Sequence, residues 1–112
     1  MAQEVSRGDI WYCVFAPPDK RRPVLVLTRQ DLIGRMHEVT VAPITTKVRG
    51  IRSEVALGSE VGLKSPSAVN LGHVATVPRS ILRRYVGTVP PEVMDRVRDA
   101  LLFALGFAAP PR

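Results

Sequence analysis

The sequence predicts a mainly β fold in which a small, strongly curved antiparallel sheet or barrel packs against one C-terminal helix. Short apolar runs rich in β-branched and aromatic residues recur up to about residue 88. Glycine, proline and charged residues separate these runs, as is typical of short strands joined by turns. Beyond residue 90 the apolar spacing becomes helical. A chain of 112 residues predicts a single domain over 1–112, with loose ends at 1–7 and 108–112.

Seven runs are predicted to be strands, and they lie at residues 10–15, 22–28, 38–44, 53–57, 67–71, 74–77 and 85–88. The second run is the central one, because four aliphatic residues follow Pro23 without interruption, which indicates a strand buried on both faces. Pro23 fits the first position of a strand and disfavours a helical backbone at Arg22. We therefore expect Arg22 at the start of a rigid strand. Residues 29–37 are predicted to be a polar connection, and 78–81 a single helical turn.

Two side chains of the first strand are predicted to be structural. Trp11 could stack on a nucleic-acid base, but a tryptophan in such an apolar run is more often part of the core. Cys13 has apolar neighbours and is predicted to be a buried, inert thiol.

The last segment has the pattern of an amphipathic helix that begins at Pro91. Proline suits the first helical position, although Pro90 is a poor N-cap. Gly106 is placed to end the helix. One apolar face is predicted from the residues that recur at helical spacing, namely Val93, Met94, Val97, Leu101, Ala104 and Leu105.

The composition favours a basic protein that binds an acidic partner. The formal net charge is +6, and 13 arginines outnumber 3 lysines. Arginine pairs with phosphate through two parallel hydrogen bonds, so a nucleic acid or an acidic protein is the expected partner; a merely solvated basic surface is the alternative. One cysteine excludes an internal disulfide and a cysteine-based zinc site. No segment has the pattern of a membrane span or a signal peptide, and we expect a cytoplasmic protein.

Six segments, in order and with similar spacing, resemble the MazF/PemK (Kid) toxins. They are RGDIW at 7–11, RRPVLVL at 21–27, TVAPITT at 40–46, SAVN at 67–70, TVP at 76–78 and the start of the helix at 91–92. The resemblance implies an SH3-like barrel of the MazF/PemK/CcdB type. It also implies the toxin of a bacterial type II toxin–antitoxin pair, acting as a sequence-specific, ribosome-independent endoribonuclease of the mRNA interferase type.

The same resemblance implies the chemistry and the partners. Such enzymes cut single-stranded RNA (mRNA, with tRNA or rRNA as further candidates) to 2′,3′-cyclic phosphate and 5′-hydroxyl ends, without a metal or other cofactor. They are homodimers with an RNA groove near the interface. An acidic, MazE-like antitoxin lies across that groove.

The resemblance assigns Arg22 and Thr45 as the catalytic pair. A fixed guanidinium aimed at the non-bridging phosphate oxygens stabilises the charge that grows there, and a threonine hydroxyl can donate to the same phosphate. The structural alternatives are an ion pair of Arg22 with Asp19 or Asp31, and a turn hydrogen bond for Thr45. Some family members carry an aspartate in the turn where this chain has Gly72 and His73. Either the pair suffices, or His73 is a helper in catalysis.

Cations and polar residues around this pair are predicted to contact RNA. Residues 20–52 contain eight cations and two acids. The loops after the first and third strands are therefore predicted to form cationic rims that contact phosphates. The alternative is an ordinary solvated surface. The predicted RNA contacts, of which Thr46 and Asn70 are candidate base readers, are Lys20, Arg21, Thr46, Lys47, Arg49 and Asn70.

Three other functions compete with this prediction. A non-catalytic CcdB-like gyrase poison shares the fold, but the Trp-Gly-Ile ending of CcdB proteins is replaced here by Ala-Pro-Pro-Arg at 109–112. A plain nucleic-acid-binding barrel would need the cations and no partner like Thr45. A Ser/His/Asp hydrolase lacks its glycine pattern, and no His/Asp/Glu cluster has the spacing of metal ligands.

Overall fold

The structure is a computed structural model that describes residues 4–14 and 21–107. Seven strands and two helices form in these ranges. The strands are β1 (Asp9–Cys13), β2 (Arg22–Val26), β3 (Glu38–Thr45), β4 (Glu54–Leu57), β5 (Ser67–Asn70), β6 (Ala75–Pro78) and β7 (Leu82–Thr88). The helices are α1 (Gln30–Ile33) and α2 (Pro91–Ala104). No helix in the described ranges is both long and apolar enough to cross a membrane.

All strand pairs are antiparallel, and β3 is shared by two groups of strands. The order is β4-β5-β3-β2-β1-β7, with β6 paired to the first half of β3. The last residues of β3, Ile44 and Thr45, pair instead with Val69 and Ala68 of β5. The predicted antiparallel sheet with a C-terminal helix is therefore confirmed. The barrel is not closed among the described strands, because β4 and β7 are the two ends of the path, so the predicted SH3-like barrel is better described as an open sheet.

Strand β2 is buried on both faces, as its aliphatic run predicts. Leu25 packs into the core that lies under α2, with Ile10 and Val93 among its members. Val24 and Val26 belong to a second core on the opposite face, together with Trp11 and Cys13. The predictions that Trp11 and Cys13 are core residues are confirmed, since they are 5% and 0% exposed.

The segment before β1 is held by the buried carboxylate of Asp9. The Asp9 Oδ2 atom accepts hydrogen bonds from Ser6 N at 2.8 Å and Trp11 Nε1 at 3.2 Å. The Thr88 hydroxyl donates to Asp9 Oδ1 at 2.8 Å, so β7 is tied to the same group. Arg7 N also donates to Gln30 Oε1 at 2.7 Å. Ser6 and Arg7, within the start that was predicted to be loose, thus make hydrogen bonds to the rest of the domain. The end predicted to be loose, 108–112, lies outside the described residues.

Helix α2 begins at Pro91, as predicted. Its last residue is Ala104, and Gly106 closes the helix end, as also predicted. Gly106 has a φ of +82°, and its N–H donates to the carbonyl of Phe103 at 3.1 Å. Phe107 N donates to the carbonyl of Leu102 at 2.8 Å, which completes a Schellman motif. The predicted apolar face is wrong at Leu105, which is 59% exposed because it follows the last helical residue.

Two local predictions differ from the structure, and one agrees with it. The predicted loop at 29–37 contains α1, whose Ile33 is buried in the second core. Strand β7 begins at Leu82, three residues before the predicted start, because the exposed pair Arg83 and Arg84 conceals the strand pattern. The predicted single helical turn forms at Arg79–Ile81.

Candidate active site

The start of β2 and the end of β3 bring Arg22 and Thr45 together. The ladder between these antiparallel strands pairs Val24 with Pro43. The same register, continued by two residues, puts Arg22 opposite Thr45. Both residues line the same surface cavity. The sheet therefore juxtaposes two residues that are 23 positions apart in the sequence.

Two adjoining cavities, of about 430 and 480 Å³, share Arg22 and Thr45 in their walls. We call them together the Arg22–Thr45 cleft. Of the other predicted site residues, the first cavity adds Thr46 and the second adds Arg49, Asn70 and His73, while Lys47 lines both. The predicted residues that the structure brings into one cleft are thus Arg22, Thr45, Thr46, Lys47, Arg49, Asn70 and His73.

The Arg22 guanidinium is exposed at the first position of β2. Its predicted alternative partner Asp31 pairs instead with Arg29 at 2.9 Å. Asp19, the other alternative partner, lies outside the described residues, and within the described ranges Arg22 has no ion pair. Its side chain lines the cleft with a planar set of five N–H donors.

The Thr45 hydroxyl makes a turn hydrogen bond and keeps its own proton available. Thr45 Oγ1 accepts a hydrogen bond from Lys47 N at 3.0 Å. A hydroxyl has one O–H donor besides its acceptor lone pairs, so this contact orients the group without using its hydrogen. The turn hydrogen bond predicted as the alternative role of Thr45 is therefore present. It leaves the hydroxyl able to donate its proton to a ligand in the cleft.

Asn70 and His73 form a small hydrogen-bonded group in the wall of the cleft. Gly72 N donates to Asn70 Oδ1 at 3.0 Å, and this contact identifies the oxygen end of the amide. Asn70 Nδ2 is then the atom that lies 3.5 Å from His73 Nδ1, so Nδ1 is assigned as the acceptor. Asn70 is only 7% exposed, whereas His73 is exposed. The Nε2 edge of His73 is left without a partner among the described residues.

Tyr12 belongs to the cleft and was missed by the sequence analysis. It lines the cavity with Arg22, and its ring lies 5.7 Å from the guanidinium carbon of Arg21 and 5.3 Å from that of Arg84. Arg21 thus contacts the edge of the cleft through Tyr12. The sequence did contain a signal for Tyr12. Side chains alternate between the two faces of a strand, so a buried Trp11 puts Tyr12 on the opposite face of β1. The predicted RNA contact Lys20 lies outside the described residues.

The cleft is cationic. Arg22, Lys47, Arg49 and Lys64 line its walls, and Glu54 is the one carboxylate among its described lining residues. Lys64 follows β4 in a loop and was not predicted. In the described part of the chain no group of three or more His, Cys, Asp or Glu side chains could hold a metal ion.

A larger cavity of about 1020 Å³ lies elsewhere and contains neither Arg22 nor Thr45. Its lining includes four arginines and two acids, and its apolar lining side chains are Val5, Trp11, Ile33 and Leu82. The one hydroxyl among its described lining residues, that of Tyr85, donates to Thr88 at 2.7 Å, because the Thr88 hydroxyl itself donates to Asp9. The Thr45 hydroxyl keeps its proton available, so the Arg22–Thr45 cleft is the better candidate for the active site.

Cys13 pairs with Arg22 across β1 and β2, but its side chain packs in the second core and does not line the cleft. It is completely buried, and desolvation raises the pKa of its thiol from 9.0 to about 11. The reactive thiolate is therefore scarce at neutral pH, which agrees with the prediction of an inert core cysteine.

The chain and its fold match a toxin family. The chain belongs to the family described as PemK-like, MazF-like toxin of type II toxin–antitoxin system, which it matches over residues 6–105. This confirms the resemblance seen in the sequence.

Individual relatives agree with this assignment. The chain is 46% identical over 69 residues to the endoribonuclease MazF3 of Mycobacterium tuberculosis (strain ATCC 25618 / H37Rv), covering 62% of this chain and 67% of the relative. The solved Mycobacterium tuberculosis toxin MazF-mt6 superposes with a TM-score of 0.83 at 35% identity, covering 90% of this chain and 99% of that one.

A third relative is a complex. An endoribonuclease from a mycobacterial species, solved with its cognate antitoxin, superposes with a TM-score of 0.84 at 27% identity and covers 96% of this chain and 100% of that chain. The alternative of a CcdB-like gyrase poison is not favoured by these relatives, which are named as endoribonucleases or MazF toxins.

Proposed function

We propose that this protein is the toxin of a type II toxin–antitoxin pair and acts as a sequence-specific, metal-independent and ribosome-independent endoribonuclease on single-stranded RNA. The observation that carries the proposal is the meeting of Arg22 and Thr45 in one cationic cleft. The names of the relatives as endoribonucleases support the same activity.

The proposed reaction is attack of a ribose 2′-hydroxyl on the adjacent phosphorus. A bond forms between phosphorus and O2′, the bond to O5′ breaks, and the products carry a 2′,3′-cyclic phosphate and a 5′-hydroxyl. The 2′-hydroxyl loses a proton, and the departing O5′ gains one. Negative charge grows on the non-bridging oxygens in between, where Arg22 donates two parallel hydrogen bonds and the Thr45 hydroxyl donates a third.

His73 is the candidate for one of the two proton transfers. Imidazole exchanges protons near neutral pH, and a guanidinium is a poor base because it stays protonated. The contact with Asn70 engages Nδ1, and Nε2 has no hydrogen-bond partner among the described residues. If His73 acts in this way, His73→Ala should lower kcat while RNA affinity stays unchanged. An unchanged kcat would mean that Arg22 and Thr45 suffice without it.

RNA binding is assigned to the rims of the cleft. Lys20, Arg21, Lys47 and Arg49 are proposed to contact phosphates, which gives affinity without sequence choice. Thr46 and Asn70 are proposed to contact base edges. Because Asn70 is largely buried, only one side of its side chain can contact a base. Tyr12 offers a ring on which a base can stack.

We propose four further properties: the antitoxin, the oligomeric state, the location and the target RNA. A MazE-like antitoxin with an acidic segment fits the net charge of +6, and the mycobacterial relative is solved with its cognate antitoxin. A homodimer with the RNA groove near its interface follows from the family resemblance, as does a cytoplasmic location. The target is mRNA, with tRNA or rRNA as alternatives.

Cleavage of a long natural RNA in excess EDTA tests the proposal. The purified protein is compared with Arg22→Ala, and the new 5′ ends are mapped. We expect cuts at one short motif, 5′-hydroxyl ends, and no cuts from the variant. A folded wild-type protein that binds RNA without cutting it would instead identify a nucleic-acid-binding module.

A further inference from the structure

Glu54 places a carboxylate in the wall of a cleft that is proposed to bind phosphate, where a negative charge is electrostatically unfavourable. It is the one carboxylate among the described residues that line the Arg22–Thr45 cleft. Its side chain is only 3% exposed. A buried carboxylate that repels RNA and loses its hydration needs a compensating role.

The two oxygens of this carboxylate have different surroundings. Oε1 accepts hydrogen bonds from the backbone N–H groups of Arg49 and Gly50, at 2.9 and 3.0 Å. Gly50 has a φ of +69°, which lets both N–H groups point at one acceptor. The N–H of Glu54 itself donates to the carbonyl of Ile51 at 3.0 Å. Glu54 thus closes the loop 49–54 on the edge of the cleft.

Oε2 is buried and has no hydrogen-bond partner among the described residues. The nearest cation is the Arg49 guanidinium, whose Nε lies 3.7 Å away. At that distance the pair attracts without a hydrogen bond. The Arg49 side chain remains 61% exposed, and its terminal amino groups make no hydrogen bond to another described residue. The carboxylate therefore orients Arg49 while leaving its two-pronged end available.

We propose that Glu54 is a positioning residue that holds Arg49 at the rim of the Arg22–Thr45 cleft, where the guanidinium binds an RNA phosphate. Arg49 lines the same cavity as Arg22 and Thr45, so a phosphate next to the scissile one is within the same space. Glu54 itself does not touch the RNA. The inference rests on the proposed function, because it assigns a role in RNA binding.

Two explanations of Glu54 predict opposite effects of Glu54→Gln on RNA affinity. Glu54→Gln keeps an oxygen for the Arg49 and Gly50 N–H groups but removes the negative charge, which takes the net charge from +6 to +7. If charge alone matters, RNA binding becomes tighter, because an acid near the phosphates is gone. If Glu54 positions Arg49, binding becomes weaker, because the amide group no longer attracts the guanidinium.

The experiment measures binding of a fluorescent single-stranded RNA, taken from the natural RNA of the cleavage assay, with every 2′-hydroxyl methylated to prevent cleavage. Fluorescence anisotropy gives the dissociation constant across a series of salt concentrations. The variants are Glu54→Gln, Arg49→Ala and their combination. Glu38→Gln is the matched control, since it makes the same charge change at an exposed position at the opposite end of β3.

We expect Glu54→Gln and Arg49→Ala each to weaken binding by about tenfold, and the double variant to be no weaker than Arg49→Ala. The slope of log K against log salt should fall by about 0.7 in all three, the value for one lost phosphate contact on a single strand. In cleavage, KM should rise while kcat stays within about twofold. Glu38→Gln should bind at wild-type strength or slightly more tightly.

Tighter or unchanged binding by Glu54→Gln, with an unchanged salt slope, would overturn the proposal, as would additive losses in the double variant. Should Glu54→Gln fail to fold, the exposed Arg49→Ala decides: unchanged affinity and slope overturn the proposal, and a weaker, less salt-dependent complex supports it. A wild-type protein that binds RNA but never cuts it would contradict the proposed activity and leave this binding comparison valid.

Discussion

Replacement of the Thr45 hydroxyl by a methyl group in Thr45→Val isolates the contribution of one hydrogen bond to cleavage. The hydroxyl accepts from Lys47 N at 3.0 Å, and its proton is the group proposed to reach the phosphate. A hydrogen bond from a neutral donor to an anion contributes about 1.5–3 kcal/mol, so kcat/KM should fall about 10- to 150-fold. Valine matches the shape of threonine, so the cleft keeps its form.

The stability cost of this change should be small. Lys47 is exposed, so its N–H can bond to water when Oγ1 is gone, and the free energy of unfolding should fall by less than about 1 kcal/mol. Thr45→Ser keeps the hydroxyl and is the control, with a rate expected within about fivefold of wild type.

Single-turnover cleavage of a fluorogenic RNA measures this effect, with thermal unfolding of each variant measured beside it. Wild-type cleavage by Thr45→Val would refute the assigned role. Equal loss in Thr45→Ser and Thr45→Val would show that a retained hydroxyl does not preserve cleavage, and would contradict the assignment of the whole loss to its hydrogen bond.

Three further predictions concern the guanidinium, the fold and the thiol. Arg22→Lys should cleave about as slowly as Arg22→Ala, 10²- to 10³-fold below wild type by initial rates, because a point charge lacks the two-pronged geometry; a near wild-type rate would contradict it. Gly87→Ala should lower the free energy of unfolding in urea by about 2 kcal/mol, because the added Cβ collides with the carbonyl oxygen of Val61; an unchanged midpoint would refute this. Because burial raises the pKa of Cys13 from 9.0 to about 11, its stabilising contribution is complete below pH 9 and declines as pH rises to about 11. The stability difference between wild type and Cys13→Ala should therefore shrink over that range, and a constant difference would contradict the assignment.

The sequence predicts those parts of the fold that depend on the local pattern of residues. The aliphatic run after Pro23 has one stable environment, a strand buried on both faces, and β2 has it. Gly106 ends α2 because few other residues adopt a positive φ there. The errors lie where tertiary contacts decide. Helix α1 forms in the predicted loop because its last residue, Ile33, packs in the second core. Leu105 is exposed because α2 ends one residue before it.

The site was predicted only in part, for a physical reason. Arg22 and Thr45 meet through the register of β2 against β3, and no local pattern contains that register; the family resemblance supplied the pair. Glu54 was missed because an acid at the start of a half-exposed strand reads as a solvated residue. Its burial depends on the loop 49–54 closing over it, which only the assembled sheet shows.

The most direct test of the central claim is the chemistry at the scissile phosphate. An RNA oligonucleotide that carries the mapped cleavage sequence is incubated with the protein in EDTA, beside the same strand with a single 2′-deoxy nucleotide before the cut. Mass spectrometry of the products should show a 2′,3′-cyclic phosphate for the first strand and no cleavage of the second, which should bind equally well. Cleavage of the deoxy strand, or 5′-phosphate ends, would mean that water is the nucleophile and would contradict the assigned roles of Arg22 and Thr45.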